Sequence, residues 1–282
     1  MIFHKPLNRL FRYFPPDASD IFSTRKIWLS AANEFNDLFE VVPRYDSLMA
    51  AWIEDSLKKE FTFLPPSIPV DWTTYKKQMS DSMSQVYHES MEVLPQGLQD
   101  KFSQHFGIIS FSENLKSPVM WGHYAKSHSG FVVEFDPKHS IFTQEEFGKV
   151  NYSANRPAAE DREYTKITLT KSPEWEYELE HRLIKPLSAL KKAVRRDQKE
   201  KHYIELPFDA VRAVYFGCKI DVKARDELLQ DLKSMDWKHV KKYAMRRHHT
   251  EYAVQERPWE SLQNPPVDAR RDFDMLWKAL GL

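Results

Sequence analysis

Apolar and polar positions along the chain fall into three textures. In residues 1–43 an apolar-aromatic run, Leu10-Phe11-Arg12-Tyr13-Phe14, stops at Pro15-Pro16. A second run, Ile27-Trp28-Leu29-Ser30, leads into Asn33-Glu34-Phe35-Asn36-Asp37-Leu38-Phe39-Glu40. Each reads as a strand followed by a loop. Residues 44–106 change period: Trp72, Tyr75, Met79, Met83, Val86 and Tyr87 recur every three to four positions, as do the apolar residues of GLQDKFSQHF. That spacing predicts helices, separated by Pro65-Pro66, Pro69 and Pro95, whose stripes read as core. From residue 107 strands return: Gly107–Ser112, Gly130–Asp136, Val150–Tyr152, His181–Lys185, Tyr203–Leu206 and Ala210–Phe216. Ser117-Pro118 is a helix-start signal ahead of Met120–Ala125. A helix is expected over Val222–Met235, a closing hairpin from Val240–Met245 and Tyr252–Gln255, and a short helix at Phe273–Leu280. The sum is an α+β domain over 1–282 with a mostly antiparallel sheet core, 44–106 as a helical insertion or cap, and 258–282 as a tail.

Composition narrows the class. The 282 residues hold 41 Lys+Arg and 41 Asp+Glu, so no large field of one sign exists to bind a polyanion nonspecifically. At 41% hydrophobic and 13% aromatic the chain is too apolar for disorder. The single cysteine, Cys218 in VYFGCKI, forbids an intramolecular disulfide or a Cys-based zinc site and reads as a buried structural thiol. The first residues lack the apolar stretch of a secretory signal, and no run approaches the roughly 18 residues of a membrane span. A cytoplasmic protein without membrane contact is expected.

The densest candidate chemistry is Pro173-Glu174-Trp175-Glu176-Tyr177-Glu178-Leu179-Glu180-His181-Arg182. If residues 178–182 are extended, Glu178, Glu180 and Arg182 share one face. Neighbouring carboxylates raise one another's pKa unless a cation answers them, and such pairs suit general-base or cation-stabilising work. The same residues also read as a charged strand face or a Ser172-capped acidic helix start. Arg12, inside an otherwise core-like strand, reads as a partner for a carboxylate or phosphate, or as an ordinary edge-strand arginine. In Ser110-Phe111-Ser112 the two hydroxyls share a face and suit a ribose or a backbone group; no Gly-x-Ser-x-Gly elbow surrounds them. His123, Glu134 and Asp136 lack metal-motif spacing, so no metal is assigned, and His248-His249 reads as a solvated turn. The basic runs at 191–196 and 238–247 read as solvated faces, and neither a Walker loop nor a Gly-x-Gly-x-x-Gly occurs.

The series LFRYF, LSAANEFNDLFE, ISFSE, MWGHYAKSHSGFVVEFD, VNYS, WEYELEHR and VRAVYFG resembles the bacterial domain-of-unknown-function family 2971 from about residue 10 to 217. Leu38 stands where that family carries a proline. More distantly, an arginine on an early strand, a Ser-x-Ser strand and a Glu-x-Glu pair resemble the ADP-ribosyltransferases of the arginine–serine–glutamate class. That resemblance implies a split-sheet fold and NAD as co-substrate. It implies that Arg12 grips the NAD phosphates, that Ser110 and Ser112 sit on the strand supporting the nicotinamide ribose, and that His123 and Tyr124 line the same cleft. Glu180 would be the catalytic glutamate and Glu178 its partner. A toxin or antiviral effector acting on a nucleic acid or protein acceptor is implied, with an antitoxin or defence-system partner. The other enzyme class is a hydrolase or nuclease using Glu178 and Glu180. The non-enzyme class is a ligand- or partner-binding domain built on the aromatic helices.

Overall fold

A computed structural model of the chain describes residues 7–44, 89, 93–143, 146–158 and 164–262. Most of the helical insertion and the helix expected at Phe273–Leu280 lie outside these residues. In chain order the strands are β1 (Leu10–Phe14), β2 (Lys26–Trp28), β3 (Phe106–Ser112), β4 (Phe131–Phe135), β5 (Phe147–Lys149), β6 (Asn151–Tyr152), β7 (Thr170–Lys171), β8 (Glu180–Pro186), β9 (Lys191–Val194), β10 (Glu200–Glu205), β11 (Val211–Phe216), β12 (Lys241–Arg247) and β13 (Val254–Pro258). Pairing is mostly antiparallel; β11–β12 and β6–β7 are parallel. The α+β class with a mostly antiparallel sheet therefore stands. No described helix is long and apolar enough to cross a membrane. The chain divides into two compact units, Met1–Arg25 with Asn114–Pro137 and Pro207–Leu282, and Lys26–Glu113 with Lys138–Leu206.

In the first unit the strands run in the order β13-β12-β11-β4-β1. Every residue of β4 is buried, which explains why Phe-Val-Val-Glu-Phe is apolar at all positions but Glu134. Phe11, Trp121, Val132, Tyr215 and Met245 form its core. The hydroxyl of Ser117 accepts the Met120 amide at 3.4 Å and Pro118 fills the first turn of the helix Pro118–Tyr124, as the sequence signal requires. Gly130 is obligatory: a β-carbon there would lie 2.0 Å from the carbonyl oxygen of Phe14. The later helix stops at Val222–Asp231 rather than running to Met235, because Leu232 and Trp237 turn inward and Trp237 Nε1–H donates to the Phe22 carbonyl at 3.2 Å. Cys218 is partly exposed rather than buried, since β11 ends at Phe216 and the chain turns at once.

The second unit has the antiparallel ladder β3-β8-β5, the sheet β2-β10-β9 and the pair β6–β7. β8 is central to its ladder, and its register sets Ser110 opposite Arg182, Phe111 opposite His181 and Ser112 opposite Glu180. Ala32, Val41, Ile108 and Ile184 form the core, with Phe35, Phe102 and Leu169 packed against it. A helix over 93–105 supplies Phe102, in line with the helical period of GLQDKFSQHF. The three-residue strand β5 carries too short a pattern to be read from sequence. It also holds Gly148, where a β-carbon would sit 2.4 Å from Leu169.

Candidate functional site

The acidic segment is not extended throughout. Pro173–Glu178 forms a 3-10 helix, and Leu179 then adopts a left-handed backbone with φ of 47° before β8 opens at Glu180. The condition that 178–182 be extended is thus met only from Glu180 on, and the acidic helix start read as its alternative is present: proline at the first helical position and two glutamates in the first turn favour the helical form. Ser172 occupies the cap position but makes no side-chain cap bond. The reversal at Leu179 turns that side chain outward and lets Glu178 and Glu180 both face Lys171, the last residue of β7.

Around these residues lies a buried ion network. Lys171 Nζ donates to Glu178 Oε2 at 2.6 Å and to Glu180 Oε2 at 3.3 Å. Arg182, with 0% exposure, donates from Nε to Glu180 Oε1 at 2.9 Å and from Nη2 to Glu180 Oε2 at 3.0 Å. Its other contacts are Glu40 Oε1 at 2.5 Å, Glu40 Oε2 at 2.9 Å and the Thr168 carbonyl at 2.5 Å. Ser110 is set against Glu180 and helps hold its carboxylate ionised, and Ser112 Oγ donates to the Glu178 carbonyl at 2.5 Å. Tyr152 Oη accepts the Glu180 amide at 2.8 Å, and Gln99 Nε2 donates to the Glu40 carbonyl at 2.8 Å.

Electrostatics differ among the carboxyls. Burial alone would raise Glu180, but Arg182 and Lys171 outweigh it and bring its pKa from 4.5 down to about 2. At Glu40 burial prevails over Arg182, so its pKa lies above the ordinary value and it takes up a proton before Glu180 does. Lys171 and Arg182 both rise despite burial, because the glutamates hold them charged. Glu180 is therefore an ionised, immobilised carboxylate at neutral pH.

Two further features flank the network. His181, alternating to the other face of β8, meets Glu113 Oε1 at 3.0 Å, and Lys149 Nζ reaches the same oxygen at 3.0 Å. The His181 ring stacks on Phe147 at 5.5 Å. Burial holds its pKa below 6.5 even though Glu113 pulls it up. Lys171 also lines a cavity of ≈ 190 Å³, together with Asp37, Phe39, Val42, Arg156 and Ile167.

Of the residues picked out from sequence, Ser110, Ser112, Glu178 and Glu180 come together here. Arg12, His123 and Tyr124 belong to the first unit. Arg12 is half-buried with its guanidinium 5.4 Å from the Phe14 ring centre, and His123 is exposed, edge-on to Tyr124 at 5.9 Å. Glu134 is answered by Arg9 at 3.1 Å and by the Tyr215 hydroxyl at 2.5 Å; Asp136 pairs with Arg212 at 2.8 Å. Among the described residues no group of three or more His, Cys, Asp or Glu side chains is placed to hold a metal ion. Sequence reasoning missed Glu40 and Lys171. The requirement for a cation beside paired glutamates was the available signal, but it named no residue.

No curated protein and no solved structure matches the chain. A family model described as a protein of unknown function (DUF2971) matches residues 120–183, a stretch that includes Lys171, Glu178, Glu180 and Arg182 but not Glu40 or Ser110. Over that stretch, which carries most of the buried ion network, the chain is similar to domain-of-unknown-function family 2971.

Proposed function

We propose that the second unit carries an NAD-dependent ADP-ribosyl transfer site centred on Glu180, acting on a macromolecular acceptor, with a toxin or defence role as its setting. The observation that carries the reading is the contact of the Ser110 hydroxyl with a Glu180 carboxylate that stays ionised down to about pH 2. Breaking the bond between nicotinamide and ribose builds positive charge on the sugar while the electron pair leaves with nicotinamide. A fixed, preorganised anion lowers that barrier where water is excluded. Arg182 and Lys171 keep Glu180 charged and in place, Ser110 orients it, and Glu178 lies one left-handed residue away, within reach of the same lysine.

One observation favours a second reading. Arg182 Nε and Nη2 and Lys171 Nζ take three of the roughly four lone-pair sites of the Glu180 carboxylate, and all of these groups are buried. In a non-catalytic ligand- or partner-binding unit, this closed network would only hold β7 to β8.

Labelled NAD and cell extract separate the two. Under the transfer reading the wild type releases nicotinamide and labels a macromolecule, Glu180→Gln loses about a hundredfold in rate, and Ser110→Ala loses less. A wild type that does neither, or a folded Glu180→Gln variant that turns over normally, overturns transfer.

A further inference from the structure

We infer that the cavity beside Lys171 is a docking site for one planar heteroaromatic ring bearing N–H donors, a ligand of the nucleobase class. The inference is separate from transfer at Glu180, because binding is read without turnover. Size comes first. At ≈ 190 Å³ the cavity is smaller than the roughly 300–1,000 Å³ that take drug-sized ligands, so it admits a ring system and not a dinucleotide.

The walls then select the ring. Phe39 is 57% exposed, which is unusual for a large aromatic side chain, and the Arg156 guanidinium lies 5.5 Å from its ring centre. Aromatic faces and guanidinium planes are the surfaces on which bases stack. Val42 and Ile167 add apolar wall.

The polar groups set the direction of hydrogen bonding. Three donors of the lining are given to the protein: Ser153 Oγ to the Asn155 carbonyl at 2.8 Å, Thr170 Oγ1 to the Lys166 carbonyl at 2.7 Å, and Lys171 to its two glutamates. Asp37 is buried, and the Phe39 amide takes one position on its Oδ1 at 2.9 Å. A carboxylate has about four such positions, so the lining offers acceptors. A group seated against Asp37 must bring an N–H, which no bare phosphate or carboxylate supplies. The wall is also preformed. Glu40, next to Phe39, is clamped by Arg182 and Gln99, and Val41 behind it is held at φ of 57°, a costly backbone for a β-branched residue.

The test is calorimetric titration of the full chain with adenosine, and separately with short single-stranded oligo(dA). At least one should saturate below about 5 mM, and which one does identifies a free ring or a ring in a strand as the source. Phe39→Ala, at an exposed position, should weaken binding about tenfold. Asp37→Asn keeps the bond to the Phe39 amide; it should weaken adenosine about tenfold yet leave purine riboside, which lacks the exocyclic amine, unchanged. Saturation by neither probe, undiminished binding by Phe39→Ala, or undiminished adenosine binding by Asp37→Asn overturns the proposal.

Discussion

Replacing Arg182 by methionine tests the physical heart of the second unit. The side chain keeps similar length but loses contacts to Glu40, Glu180 and the Thr168 carbonyl, all of them in the interior. Two carboxylates are then left with Lys171 as the nearby cation, and removing one partner of a buried pair costs about 3–5 kcal/mol. Against a typical total of about 5–15 kcal/mol, the variant should be severely weakened at pH 7. The sign with pH follows. In the wild type, Glu180 is depressed, so its contribution is present above pH 4.5 and fades as pH falls toward about 2. In the variant burial is no longer offset by Arg182, Glu180 rises, and protonation relieves it. Urea unfolding at pH 7 and near pH 4.5 should therefore show a large deficit that shrinks on acidification. A deficit below about 1 kcal/mol at pH 7, or one that does not change with pH, would refute the argument.

Three other outcomes are expected. Leu179→Gly should stabilise slightly, by under about 1 kcal/mol in thermal unfolding, because relief of the left-handed backbone exceeds the entropy of glycine and the leucine is partly exposed; a loss of stability contradicts the strain. Gly130→Ala should cost several degrees of melting temperature, since the new β-carbon meets the backbone oxygen of Phe14 at 2.0 Å rather than a movable side chain. In NMR titration His181 should take its proton below pH 6.5, and Glu113→Gln should lower that midpoint further, with stability lost as pH falls through it; a midpoint above 6.5 in the wild type goes against burial as the dominant effect.

Period and punctuation made much of the described fold legible. The Leu10–Phe14 strand, the Ser117-Pro118 helix start and the closing hairpin all express local rules that the tertiary structure keeps. What was illegible is non-local. Nothing near Glu40 says that its side chain turns inward while Leu38 and Phe39 face solvent, because the choice depends on Arg182, 142 positions away. Lys171 stands just before Ser-Pro with no local sign of burial; its burial follows from two glutamates whose approach depends on one left-handed residue. The parallel pairing of β11 with β12 likewise leaves no local trace.

Phe39 and Glu40 are consecutive, one forming a cavity wall and the other gripping the interior. Val41 follows them at φ of 57°, a backbone conformation that β-branched residues rarely adopt. A backbone shift at Glu40 is passed through a single planar peptide unit to the residue that walls the cavity.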